Sequence, residues 1–561
     1  MSEPTAPSNA GSAIVLRRTG EEVSVTERDS DGAVRHSVLA SPALPAFVTE
    51  REAGQPLWVW DDTTRWYPAL LDAGIRVRRC VDLRLCHQVL RSSPAVDLVQ
   101  PTADDAAWAE LAPVGESDSA LFQLHEHAET LDAAAEYERQ SRVLTASPDR
   151  NRLRLLLSAE SSGALVAAEM TYAGLPVRAD VHGQILTALI GPRPPAGTRP
   201  AVLETLLAHI RNAFDDPDLN PDVPAQLTKA LRRAGLDAPD TRSWTLSRLE
   251  HPGIPALLEY KKLLRLSAAN GWRWLDTWVH DGRYRPTYLP AGVVTGRWAS
   301  HGGGALSYPG QLRPAVIADE GWEFVVADVA QLEPRALAGM SRDLAMAEAA
   351  GSVDLYQGMV DRGAVASRND GKLAMLGAMY GATKGESGRL VPRLARLYPR
   401  AFAYVEEAAR AGERGEAVQT FLGRGSPLPD GDWTAPLGDL PDDDGDARQR
   451  DRRKWGRFTR NFVVQGTGAE WASCWLATLR NLLWEIGEAG SEEPNLPLTA
   501  RPHLVFFLHD EVVIHTPHGA GNAVEEAVHA AARRATGLVF GSFPIEFPLK
   551  VSRVRSWAEA S

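Results

Sequence analysis

The sequence predicts an α/β protein of several domains, and three observations carry that reading. At 561 residues the chain is too long for one hydrophobic core. From Ala13 to about Arg150, short β-like runs alternate with helical patterns. Further on, two apolar, β-branched segments carrying acids, one around Asp328 and one around Asp510, flank a large helical insertion.

In chain order, residues 1–11 are polar and are expected to form a disordered tail. The runs AIVLRR, LWVW and IRVRRCVDL, with helical stretches such as 119–145, predict a small α/β domain. Residues 152–290 read mostly as helices, interrupted by the Pro-rich GPRPPAGTRP at 191–200. The Gly/Ser-rich SHGGGALSYPG at 300–310 marks a boundary. After it, EFVVADVA reads as a strand, 342–412 as mainly helices and 455–485 as one long helix. The chain closes with the hairpin-like VFFLHDEVVIHT, an amphipathic helix near 521–537 and a last strand, FPLKVSRV.

Composition narrows the class. With 44% hydrophobic and 24% charged residues the chain reads as globular and soluble. No apolar run approaches the ~18 residues that span a bilayer, and MSEPTAPSNAGS lacks the layout of a signal peptide. The three cysteines make neither a disulfide framework nor a zinc pattern. These features predict a reduced, cytoplasmic protein without a membrane partner. The net charge of −12 argues mildly against nucleic acid. The charges are segregated, however: Asp430–Asp446 holds acids without Lys or Arg, whereas Arg448–Arg460 holds seven cations and one acid. Such runs are a solvated surface or a local phosphate-binding stripe.

In FFLHDEVVIH (506–515), Asp510 and Glu511 sit between apolar runs. A buried carboxylate is costly unless paired or metal-bound, so the pair needs a tight turn into solvent or a cation. Asp328 ends the similar run FVVAD. If the two strands are neighbours, the aspartates can hold a hard cation such as Mg²⁺, which takes oxygen ligands and keeps water and substrate phosphates. Two such ions ~3.5–4 Å apart would stabilise the attacking and leaving oxygens of a phosphoryl transfer. Otherwise each acid simply caps a strand end. In ASRNDGKLAMLGAMYGAT, Arg368, Lys372, Leu376 and Tyr380 recur every fourth residue and share a helix face. Two cations and a ring on that face suit a triphosphate with a base stacked beyond it; the alternative is a solvated basic face.

These segments resemble the motifs of family A DNA polymerases, the bacterial DNA polymerase I type. DVAQLEPR (328–335) resembles the first palm motif, RNDGKLAMLGAMYG (368–381) the fingers-helix motif R-x3-K-x7-Y-G, and LHDEV (508–512) the second palm motif. RFTRNFVVQGTGAE (457–470), TGRWAS (295–300) and the closing RSWAEAS are similar to further family segments in the same order. LVAAEMTYAGLPVRAD (165–180) extends the likeness toward the thumb, and the chain is expected to lack the family's separate 5′-nuclease domain. The resemblance implies a right-hand fold: a palm with an antiparallel sheet (291–341 and 453–561), helical fingers (342–452) and a helical thumb (152–290). It also implies an N-terminal ribonuclease H-like domain of the 3′–5′ exonuclease type (12–151).

By the same resemblance, Asp328 and Asp510 hold two Mg²⁺ ions, with Mn²⁺ as the substitute, and Glu511 supports them. Glu511 is expected on the opposite face from its strand neighbour. Arg368 and Lys372 grip the triphosphate; Tyr380, Gln331 and Leu376 line the nucleotide pocket; and Glu333 gates against the ribose 2′-hydroxyl, its bland alternative being a surface pair with Arg335. Arg297, Arg457, Asn461, Gln465 and His509 touch primer–template DNA. The implied protein is a monomeric, nucleoid-associated enzyme that extends primers from deoxynucleoside triphosphates in repair or gap filling.

Two departures stand out. Leu376 replaces the family's usual aromatic ring. The first strand, SAIVLRRTG, lacks the acids of the exonuclease site, and Ala133 and Tyr137 stand where the family has tyrosine and aspartate; Asp61, Asp62 and Asp82 could match the remaining acids. Proofreading is therefore expected to be weak or absent, with a bifunctional exonuclease and polymerase as the alternative. Two other classes stay open: a catalytically silent primer–template binding protein, and a metal hydrolase built on His503, His509, Asp510 and His515, which lacks a compact ligand motif.

Overall fold

The computed structural model describes residues 12–29, 31–96, 106–108, 131–352, 354–381, 385–430, 433, 442–489 and 496–560. The expected tail, part of the expected 119–145 helix and most of the acidic run Asp430–Asp446 lie outside the described residues. The chain forms two compact units. The larger comprises Met1–Ala173, Thr287–His301 and Gly321–Arg553; the smaller comprises Gly174–Pro286, Gly302–Glu320 and Val554–Ser561.

The larger unit begins with a five-stranded sheet: β1 (Ala13–Thr19), β2 (Glu22–Arg28), β3 (Val34–Ala40), β4 (Leu57–Trp60) and β5 (Cys80–Asp82), in the order β3-β2-β1-β4-β5. The first three strands form an antiparallel meander, while β4 and β5 run parallel to β1. Ile14, Leu16, Val23, Val25, Trp58 and Trp60 pack into one core. On the other side Val15, Val59 and Leu83 bury Ala133, with Tyr137 packed against them. Apolar contacts thus fill the two positions where the resemblance asks for exonuclease-site residues.

The sheet's aspartates have structural partners. Asp62 accepts from the Thr64 N–H at 2.8 Å, capping the helix Thr63–Asp72, and pairs with Arg84 at 2.8 Å. Asp82 accepts from the N–H groups of Thr63 and Leu85, at 2.8 and 3.0 Å. Asp61 accepts from the Trp66 indole. Side-chain caps of this kind satisfy the orphan donors of a helix start.

This sheet is joined to the rest of its unit by a buried charge network. Arg480, on the long helix, donates to both Glu169 carboxylate oxygens, at 2.8 and 2.6 Å, and to the Arg78 carbonyl at 2.8 Å. The Tyr67 hydroxyl donates to the same Glu169 at 2.6 Å. The long helix spans Asp442–Ala489, longer than expected, so the expected fingers–palm boundary at 452 falls inside continuous helix.

The second sheet of this unit has four strands in the order His503–Leu508, Glu511–Pro517, Trp322–Val329, Leu549–Val554. The two acid-bearing segments are therefore neighbouring antiparallel strands, with Asp328 opposite Glu511. The helix Gly521–Phe540 packs against the two central strands, with Val524 and Val528 buried.

The smaller unit is mainly helical, with Ala179–Ile190, Ala201–Ala213, Pro224–Arg233 and Gly253–Asn270 its longer helices. The boundary expected from SHGGGALSYPG is the point where the chain re-enters this unit. Gly302, Gly303 and Gly304 all have left-handed φ, 71°, 64° and 64°, a conformation that costs glycine least. A Cβ on Gly302 would fall within the Trp278 ring, 1.9 Å from its nearest atom. No helix of the described residues is long and apolar enough to cross a membrane.

Candidate active site

The site starts from a very tight hairpin. Strand His503–Leu508 returns as Glu511–Pro517 after only His509 and Asp510. The Asp510 N–H donates to the Leu508 carbonyl at 2.6 Å, with His509 left-handed at φ 57°. A non-glycine residue in that region stores local strain, a feature concentrated at functional sites. The neighbouring strand locks the turn, because the Val329 N–H donates to the Asp510 carbonyl at 2.9 Å. Asp510 is thereby set beside Asp328.

Charge confirms their closeness. The Asp510 carboxyl is pushed up to about 6, first by burial and then by the negative charge of Asp328. The half-buried Asp510 beside the exposed Asp328 favours a cation between them. The fit to divalent metal ions rests on this donor set of carboxylate oxygens, the hard ligands that Mg²⁺ takes.

The structure corrects one expectation here. Strand alternation does not separate Asp510 from Glu511, because Asp510 belongs to the turn. Glu511 is the first strand residue and lies directly opposite Asp328, and opposed residues in an antiparallel ladder share a face. Glu511 is buried.

Beyond Asp328 the chain turns sharply at Gln331 (φ 47°) into the helix Leu332–Ser341. Glu333, in its first turn, is half-buried; it pairs with Arg297 and accepts from the Tyr380 hydroxyl at 3.1 Å. The alternative pairing with Arg335 does not occur. Arg335 is fully buried and donates to the carbonyls of Ala330, Ala350, Glu546 and Ser352. Residues two apart on a helix do not face each other, which explains the difference. Gln331 accepts from the Leu355 N–H at 3.2 Å and from Arg335 at 3.4 Å.

The fingers helix spans Arg368–Tyr380, opened by a capping box of Ser367 and Asp370 and closed by Gly381 at φ 72°. Gly371, Ala374, Met375, Ala378 and Met379 are buried, while Arg368, Lys372 and Tyr380 are exposed and Leu376 is half-buried. The four-residue spacing is therefore an outward face. Arg368 does not project freely: its Nε donates to Asp354 Oδ2 at 2.6 Å.

On the long helix, Arg457 is exposed and packs along Gly381, while Asn461 and Gln465 are half-buried. Gln465 accepts from the Thr295 hydroxyl at 2.8 Å. Asn461 Oδ1 and His509 Nδ1 are buried without a hydrogen-bond partner among the described residues. Burial, and then the positive charge of Arg297, lower the His509 pKa. Within the basic run, Arg460 is committed to structure: it donates to the Ala378 carbonyl at 2.9 Å and pairs with Glu406.

The hydrolase set is not assembled. His503 and His515 are cross-strand partners packed on Trp322, at the far end of the hairpin from Asp510. Four residues of strand separate His515 from Glu511, about 13 Å. Sequence reasoning missed Asp354 and Thr295. The signal available for Asp354 was its place as a helix-capping acid just before the apolar Leu355.

A model described as DNA polymerase family A matches residues 201–559 of this chain. The thermostable DNA polymerase I of Thermus aquaticus is 25% identical over 339 residues, which is 54% of this chain and 36% of that protein. The DNA polymerase I of Chloroflexus aurantiacus is 25% identical over 324 residues, 51% of this chain and 30% of that protein. The chain thus spans about a third of the length of these curated relatives. Among solved structures, the POL domain of Pol1 from M. smegmatis, in complex with DNA primer-template and dNTP, is similar with a TM-score of 0.69 at 19% identity. That match covers 98% of this chain and 95% of the other. At that identity the likeness speaks for the fold, a right-hand polymerase with an α/β domain before it.

Proposed function

We propose that this chain, which belongs to DNA polymerase family A, is a DNA-directed DNA polymerase that extends a DNA primer from deoxynucleoside triphosphates. The observation that carries the reading is Asp510, set in the hairpin turn beside Asp328 of the neighbouring strand, together with an outward helix face bearing Arg368 and Lys372. The relatives named as DNA polymerase I, and the solved relative that holds primer-template and dNTP, support it.

In this reading Asp328 and Asp510 would hold two divalent ions, Mg²⁺ or Mn²⁺, with Glu511 supporting the site. Bound there, such ions supply charge stabilisation at the oxygens of a phosphoryl transfer. Arg368 and Lys372 hold the triphosphate and neutralise charge on the leaving pyrophosphate. Tyr380 orients Glu333 through their hydrogen bond, and Arg297 fixes it from the other side, so the carboxylate stands as a rigid gate beside the sugar. Leu376, on the same face, supplies a smaller wall than a ring would. Arg297, Arg457, Asn461, Gln465 and His509 border the primer–template.

Residues 152–290 act as thumb, 342–452 as fingers, and 291–341 with 453–561 as palm. The N-terminal domain (12–151) serves as a scaffold with weak or absent exonuclease activity, a reading supported by the structural partners of Asp61, Asp62 and Asp82. Monomeric action in repair or gap filling, at the nucleoid, completes the proposal.

The test is extension of a labelled primer on a DNA template with Mg²⁺ and all four deoxynucleotides, beside Asp328→Asn and beside lanes without nucleotides. Growth that falls by on the order of a thousandfold or more in the variant is expected, since metal charge stabilisation is worth several kcal/mol. Duplex binding without extension by the native protein would overturn the reading in favour of a binding protein. Primer shortening without nucleotides that persists in Asp328→Asn would instead restore the exonuclease.

A further inference from the structure

Asp354 belongs to none of the motifs, yet it is the residue that Arg368 touches. Its carboxylate does two things at once. Oδ1 accepts from the N–H groups of Tyr356 and Gln357, at 2.9 and 3.1 Å, capping the helix Leu355–Asp361. Oδ2 accepts from Arg368 Nε at 2.6 Å. The segment around Asp354 is pinned to the exit of the catalytic strand: the Leu355 N–H donates to Gln331 Oε1, and the Ser352 carbonyl accepts from the buried Arg335. Asp354 is therefore the fixed partner. Arg368, with its side chain 54% exposed, is the movable one, and its guanidinium carbon lies 5.8 Å from the Tyr356 ring centre. Lys372, one turn further along the same face, makes no ion pair among the described residues.

We propose that Asp354 stands in for the nucleotide's phosphate: it holds Arg368 in the nucleotide-free protein and yields it to the incoming triphosphate. The inference rests on the polymerase reading above. A guanidinium satisfies carboxylates and phosphates with the same fork of donors, so the two anions compete for one edge of Arg368. A triphosphate brings several charges against one. The exposed pair is worth little, at most about 1 kcal/mol, so the competition tunes nucleotide affinity without blocking it. Asp354 is in this sense a positioning residue that acts through Arg368. Ligands with fewer phosphates displace it less well, and its return to Arg368 assists departure of pyrophosphate.

The cap and the competition can be separated. Asn and Ser cap helices about as well as Asp, but neither carries the charge. Steady-state extension by Asp354→Asn, at low and high ionic strength, is expected to show KM for the deoxynucleotide lowered about two- to fivefold. The change in kcat should be smaller, and the difference should fade as salt screens the pair. In an Arg368→Gln background the same substitution is expected to do nothing further. Asp354→Ser, with folding checked by thermal melting followed by circular dichroism, repeats the test should the first variant be unstable. An unchanged or raised KM, or an equal drop without Arg368, overturns the proposal while leaving the polymerase standing. A native protein that never extends a primer overturns both.

Discussion

The two sheets of the larger unit each bring two aspartates together, in different company. In the N-terminal sheet, Asp62 and Asp82 are fully buried at strand ends, and helix-start N–H groups and Arg84 meet their oxygens. In the second sheet, Asp510 is half-buried beside Asp328, and the two repel. A carboxylate satisfied by donors from its own fold is a structural part. Repulsion alone does not tell the pairs apart, since burial and the charge of Asp62 likewise push the Asp82 carboxyl up to about 6; what marks the first pair is the buried Arg84 and the helix-start N–H groups set against it. Position at a strand end is common to both; the surroundings decide.

The sharpest way to break this contrast is to remove one acid from each sheet. Asp62→Ala deletes a helix cap and one carboxylate partner of the buried Arg84. Loss of about 1–3 kcal/mol of stability is expected, the cost of a lost cap and a lost charge-assisted hydrogen bond, read as a lower denaturant midpoint, with primer extension by the folded fraction retained. Asp510→Asn should do the reverse. Its carboxyl is raised to about 6, so ionisation at neutral pH opposes folding, and the neutral amide should stabilise the metal-free protein by up to about 2 kcal/mol while abolishing extension. Added Mg²⁺ should raise the melting temperature of the native protein more than that of the variant. If Asp62→Ala abolished chemistry in folded protein, or Asp510→Asn destabilised it, the distinction between the two sheets would fail.

A third carboxylate sharpens the comparison because it is buried and short of positive charge without belonging to either sheet. Glu470, on the long helix, accepts from the Thr420 hydroxyl and from the Leu422 N–H at 3.0 Å, and burial pushes it up to about 7. Arg424 lies nearby but donates to Glu160 at 2.7 Å. A carboxyl raised in the folded state favours folding below its unfolded value near 4.5, and that contribution is lost as pH rises through 7. Glu470→Gln should therefore flatten the fall in stability between pH 5 and 8, gaining at most about 3 kcal/mol at the alkaline end. The amide oxygen can accept from Leu422 while its NH₂ turns to Thr420. Melting temperatures measured against pH decide it: parallel curves for native protein and variant would show that Glu470 does not titrate as described.

What could be read from the sequence and what could not divides along a physical line. The hairpin at His509 and the outward face of Arg368, Lys372 and Tyr380 are local, set by periods of two and four that any window of residues displays. The partners of those residues are not local. Asp354 meets Arg368 across a loop, Arg424 meets Glu160 across 264 residues, and Arg480 meets Glu169 across 311. Such pairs leave no periodic trace. The alternative pairing of Glu333 with Arg335 fails because closeness in sequence on a helix is not closeness in space.

The smallest expected effect probes the gate that joins these local and distant parts. Glu333 is held from two sides, by Arg297 on one segment and by the Tyr380 hydroxyl on another. Tyr380→Phe removes one of the two holds and keeps the ring. A single partly exposed hydrogen bond of this kind is worth about 0.5–1.5 kcal/mol. The carboxylate then gains freedom to swing away from the sugar, and discrimination against ribonucleotides should fall a few-fold, while extension with deoxynucleotides changes less. The measurement is the ratio of kcat/KM for deoxy- and ribonucleotides in native protein and variant. An unchanged ratio would mean that Arg297 alone fixes the gate. In that case Tyr380 acts on the base pair, and the place of Glu333 is set by the half-buried Arg297 rather than by the substrate it faces.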